Sequence, residues 1–266
     1  MKESNSFERM LAILDLFTER RPVWTPDALT ARLGYSRPTL YRYLKTLKDH
    51  GFLAGRPNSG FTLGPKVVEM DFLLRRSDPL VLEGLAFLRR LTEAYPCTAF
   101  LARWYGDKVL CVLSEQSATD LTSSYPRGRP MPIGRGATSR SIMAFLPRRK
   151  LMPLIAARLE DFRAVGFGQD AAEVLRGLAE IRRAGVASAR AEVTPGVVGI
   201  ASPVFDIGAA PVASLTLTIS QCRVDNSMEE HLKADVRAAA ATLSDILAHH
   251  RADMLEGADH PGGQAR

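Results

Sequence analysis

Basic and hydroxyl side chains recur in residues 36–51, SRPTLYRYLKTLKDHG, at a spacing that an α-helix gathers onto one face. Leu40, Leu44 and Leu47 fall at i, i+4 and i+7 and share one buried stripe, so Thr39, Arg42, Lys45 and Thr46 turn away from it. Such a face suits one chemistry well: Arg and Lys read guanine O6 and N7 in the major groove, and Thr reaches a base edge or a thymine methyl. Ser36 is placed to cap the helix, Pro38 fits its first turn, and Gly51 can close it in a left-handed conformation. With the helix start favouring phosphate, the candidate DNA contacts are Ser36, Arg37, Thr39, Tyr41, Arg42, Lys45 and Thr46. A solvated basic surface helix is the plainer alternative.

Two further stretches could handle a small molecule. Residues 212–220, VASLTLTIS, alternate Ala213, Leu215, Leu217 and Ile219 with Ser214, Thr216, Thr218 and Ser220, which makes a strand with one apolar face and one row of hydroxyls. That row is either the solvated side of a sheet or the floor of a polar pocket. Residues 126–140, PRGRPMPIGRGATSR, form a Gly/Pro-rich loop running into a helix near Ala137. Backbone N–H groups at Gly136 to Thr138, with Arg127, Arg129, Arg135 and Arg140 nearby, would suit a carboxylate or phosphate; a solvated basic loop is the alternative. Catalysis has less support. The five histidines close the basic helix or lie late in the chain, and no GxSxG, P-loop or strand-linked GxGxxG is present, so no enzyme and no cofactor is expected.

The elements around the basic helix give it a context. Thr25 can cap a helix from Pro26 through Ala28, Leu29 and Leu33 to Gly34, which with residues 36–51 makes a helix-turn-helix. Phe52-Leu53, a turn-rich stretch over residues 55–60 and Phe61-Thr62-Leu63 then read as two short strands, a wing carrying Arg56 toward the DNA. Upstream, Asn5 and Glu8 predict a capped helix ending near Arg20, with Phe7, Met10, Leu14 and Phe17 packing on the helix-turn-helix. A helix over residues 66–76, with Val67, Met70 and Leu74 along one side, reads as a connector and a surface for a second subunit, or as a plain capping helix.

Farther on, the pattern predicts a helix over residues 80–94 with Leu82, Leu85, Leu88 and Leu91, then a hairpin of strands 97–103 and 108–114. Helices follow at 139–146 and 148–159, and another starts at Asp170 and ends before Gly185. Strands 197–206 and 212–220 and a helix over 229–249 complete a mixed α and β domain. The length suits two domains. Of the net charge of +6, residues 1–76 hold 13 Lys/Arg against 8 Asp/Glu, or +5, leaving +1 for the rest. Positive charge lies where the DNA-binding motif lies. Three scattered cysteines indicate neither a disulfide framework nor a zinc ribbon, and with no apolar signal core or membrane-spanning run a cytoplasmic protein is expected.

The order of parts resembles the IclR family of bacterial transcriptional regulators from about Phe7 to His250. The resemblance rests on RPTLYRYLKTLKDHGFL, FTLGPKVVEM, PIGRGATSRSIMAFLP, and IRRAGVASARAEVTPGVVGIASPVFD followed by VASLTLTIS. It implies an α+β chain: a winged helix-turn-helix (1–64), a linker helix (65–77) and a GAF-like effector-binding domain (78–256); residues 257–266 read from their composition as a disordered tail. It further implies a homodimer or homotetramer on a double-stranded DNA operator, controlled by a small-molecule effector. Family pockets map onto Ala137 and Thr138, onto Ala189, Val197 and Gly199, and onto Thr216 and Thr218, and the loop backbone adds Gly136 as a candidate effector contact. Two departures stand out: Ser139-Arg140 replaces a frequent Gly-Lys, and Ala189 and Gly199 replace acidic or cysteine side chains. From the residues together, the effector is expected to be an organic acid. The competing function is an enzyme with a nucleic-acid-targeting N-terminal region.

Overall fold

A computed structural model describes residues 5–57, 60–118 and 125–258, within two compact units, Met1–Ser77 and Asp78–Arg266. In the first, α1 (Ser6–Leu11) opens with a capping box: the Asn5 side chain accepts from the Glu8 N–H and Glu8 from the Asn5 N–H. The helix is shorter than expected, stopping at Leu11, with a 3-10 turn at Leu14–Leu16. That tighter turn changes the period, so Ile13 enters the core while Phe7 is 73% exposed.

Thr25 caps α2 (Pro26–Leu33), and Gly34 closes it in the left-handed region. In α3 (Arg37–Asp49), Leu40, Leu44 and Leu47 are buried as their spacing requires, joined by Tyr43, whose hydroxyl meets that of Ser6 at 2.9 Å. Ser36 holds the N-cap position, but its hydroxyl donates to Thr39 Oγ1 at 2.9 Å instead of capping a backbone N–H. β1 (Leu53–Arg56) pairs antiparallel with β2 (Gly60–Leu63), and Trp24 bridges to Phe61 on the other side. A Cβ on Gly60 would lie 2.4 Å from the Trp24 carbonyl oxygen, so only glycine lets this wing close on the helix-turn-helix. Residues 58 and 59 of the expected wing turn lie outside the described residues. The unit ends with α4 (Pro65–Ser77), which exposes Val68, Met70, Phe72, Leu73 and Leu74.

The second unit is built on one antiparallel sheet. Its strand order is β5 (Pro130–Met131), β4 (Val109–Gln116), β3 (Cys97–Trp104), β8 (Ala213–Ser220), β7 (Val197–Val204) and β6 (Ala187–Arg190). Leu101, Leu215 and Leu217 face a core shared with α5 (Pro79–Ala94) and α9 (Asn226–Ala258). Phe100 and Ala102 face a second core, shared with α6 (Ala137–Met143), α7 (Arg148–Ala164) and α8 (Ala171–Ala184). The alternation of β8 thus separates two buried layers, and Ser214, Thr216 and Thr218 are buried too. The hydroxyl row is not a solvated face.

Several bounds differ from expectation. Leu82 is 53% exposed, because α5 buries Leu80, Val81, Gly84, Leu88 and Leu91 instead. The helix expected at 139 starts at Ala137, and α7 continues past 159 across a non-helical Arg158. β5 and β6 were not foreseen, and α9 is longer at both ends, so Gly257 and Ala258 are helical while the rest of the expected disordered tail lies outside the described residues. Among the described residues no helix is long and apolar enough to cross a membrane.

Candidate functional site

The first unit presents a basic face. On α3, Arg37, Tyr41, Arg42 and Lys45 are exposed, Thr39 and Thr46 are half-buried beside them, Ser36 stands at the helix start and Arg56 ends β1 at the wing. The leucine stripe fixes this face by elimination: each inward leucine sets the direction of its outward neighbours. Most of these side chains are lightly held. Arg37 pairs with Asp27 of α2 at 3.1 Å, but both are largely in water, where such a pair stabilises little. The Thr46 hydroxyl donates to the Arg42 carbonyl oxygen at 3.1 Å, and the Arg42 guanidinium lies 5.5 Å from the Tyr43 ring centre. Side chains with few commitments can rearrange around phosphate and base edges at low cost.

In the second unit a small, partly open cavity of about 30 Å³ lies between the sheet, α6 and the loop after β6. Gly136, Ala137, Thr138, Ala189, Val197, Gly199, Thr216 and Thr218 all line it. They come from four separate stretches: α6 and its approach, β6, β7 and β8. Gly199 leaves a gap at the centre, where a Cβ would touch the Thr218 and Ala137 side chains at 3.8 and 4.0 Å. Sequence reasoning missed Phe100, Tyr125, Met131, Glu192, Val193 and Thr194, which line it too. The Phe100 and Tyr125 rings stack with centres 4.5 Å apart, and the Tyr125 hydroxyl meets that of Thr194 at 3.2 Å.

The hydroxyl network is tightly organised. Thr216 donates to Thr138 Oγ1 at 3.2 Å, Thr218 donates to the Thr98 carbonyl at 3.2 Å, and Ser141 links the Thr138 carbonyl to Ser214 at 2.9 and 2.8 Å. Buried polar groups in such a chain hold fixed directions, which is what selects one ligand shape over another.

The loop arginines do not do what their spacing suggested. None of the four lines the cavity. Arg135 pairs with Asp161 at 2.9 Å, Arg127 donates to the Val112 carbonyl, and Arg129 lies 5.1 Å from the Tyr125 ring centre. Arg140, buried to 2% exposure, forks onto Glu192, with one bond at 2.9 Å, and stacks 3.8 Å over Phe167. Burial pulls the Arg140 pKa below its ordinary value, opposed by Glu192. The Gly136 N–H also donates to Glu192, at 2.9 Å, so the position where a ligand acid was expected already faces a carboxylate of the chain. The signal for Glu192 was faint in sequence, since it lies in a turn after the unrecognised strand β6.

A winged helix-turn-helix with an exposed basic helix face, followed by an α+β unit with a hydroxyl-bearing cavity, defines a helix-turn-helix transcriptional regulator. Residues 6–57 match the IclR helix-turn-helix domain, and residues 77–245 match the C-terminal domain of the bacterial transcriptional regulator IclR. The chain belongs to the IclR family. It is 26% identical to the HTH-type transcriptional regulator XynR of Escherichia coli K12 over 246 residues, covering 92% of this chain and 97% of that one. Its fold matches an IclR transcriptional regulator from Alicyclobacillus acidocaldarius with a TM-score of 0.75 at 23% identity, covering 90% of this chain and 97% of that one. It also matches an IclR homolog from Microbacterium hydrocarbonoxydans complexed with 4-hydroxybenzoate, with a TM-score of 0.73 at 20% identity and coverage of 91% and 99%. These relatives are transcriptional regulators, not enzymes.

Proposed function

We propose that the chain is a cytoplasmic, sequence-specific transcriptional regulator that binds a double-stranded operator as a homodimer or homotetramer and is switched by a small organic acid held in the cavity. Arg42 and Lys45 of α3 read base edges, with Ser36, Arg37, Thr39, Tyr41, Thr46 and Arg56 holding the register on phosphate and sugar. The effector rests its polar groups on Thr216, Thr218 and Thr138 and its body against Val197 and the Phe100–Tyr125 stack. Carrying most weight is that Gly136, Ala137, Thr138, Ala189, Val197, Gly199, Thr216 and Thr218, scattered in sequence, line one small cavity beside a buried hydroxyl network. The 4-hydroxybenzoate bound to the Microbacterium homolog supports an organic acid as the ligand class. The reading is tested with the full chain by thermal shift against a panel of carboxylic acids including 4-hydroxybenzoate, followed by mobility shift on the DNA upstream of its own coding region. An acid that raises the melting point and changes the DNA shift supports it. DNA binding indifferent to every acid that stabilises the chain contradicts it.

A further inference from the structure

Glu192 is out of place for an empty anion site. Its carboxylate accepts from both terminal nitrogens of the Arg140 guanidinium and from the Gly136 N–H, and it lines the cavity. Arg140 itself lies behind it, 2% exposed, with its Nε buried and without a partner among the described residues. Buried guanidinium needs a carboxylate, and Glu192 is the one the chain supplies.

The loop bearing Glu192 is built to be held from both sides. It leaves β6 at Ala191, the one non-glycine residue with positive φ (56°) among those described, and returns at Gly196, φ 71°. The Ala191 N–H donates to the Val197 carbonyl at 2.8 Å, so residues 192–196 form a closed hairpin loop. Its clasps over the cavity are Glu192 on α6 and Thr194 on Tyr125. Glu192 is about one-eighth exposed, so water is within its reach once it lets go.

We propose that Glu192 is a resident carboxylate on the acid-recognition position of the cavity, and that an effector acid binds Arg140 by exchanging with it. This inference rests on the reading that the effector is an organic acid held in this cavity. Charge is conserved in the exchange: Arg140 keeps one carboxylate partner, and Glu192 passes to solvent with its own charge intact. Phe167, stacked on Arg140, holds the guanidinium in place while partners change. The released loop loses its α6 clasp, so acid binding alters the backbone between β6 and β7. Selectivity follows as well, since an acid must out-compete a tethered carboxylate, and only one whose body also fills the cavity gains enough to do so.

The test is rescue by a small acid in the full chain. Glu192→Ala is expected to lower the melting temperature by about 10 °C, because Arg140 is left buried without its counter-charge. Sodium acetate or propionate, compared with sodium chloride at the same ionic strength, then restores at least about half of that loss and saturates, while the parent chain shows no such response. Adding Arg140→Met to Glu192→Ala abolishes the response. Should Glu192→Ala not fold, Glu192→Gln retains one acceptor oxygen for Arg140 and is expected to show the same acetate response at smaller amplitude. An acetate response equal to that of chloride in both variants, or one that survives Arg140→Met, overturns the exchange. A cognate acid that still binds in the cavity under those outcomes leaves the effector reading standing and removes only the role of Glu192.

Discussion

The basic face of α3 and the cavity of the second unit both collect polar and charged side chains, yet they treat charge in opposite ways. On α3, Arg42 and Lys45 stand in water, and Arg37 pairs with Asp27 with both side chains largely exposed. In the second unit Arg140 and Glu192 are withdrawn from water and neutralise one another before any ligand arrives. Charge at a surface can be offered to a polyanion at little cost, whereas buried charge has to be paired first and is released only by exchange. In the proposed function, DNA is met by side chains only lightly engaged in the free protein, and an effector by side chains that are already engaged.

The largest effect is expected from the core under α3. Leu44→Ala removes a side chain that is 1% exposed and is expected to cost the first unit about 3 kcal/mol. Calorimetry should show the transition of that unit moving down while that of the second unit stays, and operator binding should disappear with it. If both transitions move together, the two regions are not energetically separate. Next in size, Arg42→Ala and Lys45→Ala should each weaken operator binding: a base reader by about 1–3 kcal/mol with relaxed specificity, a phosphate contact with a salt slope lower by about one. Binding by both variants that matches the parent at several salt concentrations means another face reads the DNA.

Thr216→Val probes the other region. It removes the hydroxyl that donates to Thr138 and is expected to weaken the effector acid by about 1–3 kcal/mol with operator affinity unchanged in the absence of acid. Unchanged acid affinity in calorimetric titration removes Thr216 from the ligand's contacts. The smallest effect is chemical. Burial pushes the Cys111 thiol up to about 12, so it stays protonated and unreactive near pH 8, while Cys222 is exposed. Native alkylation should modify Cys222 alone, with Cys97 and Cys111 reacting only in denaturant, and rapid labelling of Cys111 would mean the second core opens to solvent.

How far each region was legible in the sequence follows from the same contrast. The reading helix lies within sixteen consecutive residues, so leucine spacing, a Pro near its start and Gly51 after its end defined it without tertiary information. The first helix was drawn too long, because the apolar spacing of Met10, Leu14 and Phe17 continues across the 3-10 turn that breaks it. The hydroxyl row of β8 showed its alternation but not its burial, which depends on α6 packing over it. β6, read as ASAR, lacks the β-branched and aromatic residues that mark strands, and its omission hid Glu192 in the turn beyond it. The arginines were only partly legible for a related reason. Spacing reveals that a loop is basic but not which carboxylates, here Asp161 and Glu192, the fold folds back onto it.

The most direct test of a chain that reads DNA with one unit and an acid with the other is thermodynamic reciprocity in the parent protein. Operator affinity is measured by anisotropy with and without the stabilising acid, and acid affinity by calorimetry with and without operator. Each ligand is expected to change the affinity of the other by the same factor, about 5-fold or more, since coupling between sites is symmetric. An acid that fills its site while operator affinity stays the same, within about 2-fold, contradicts it.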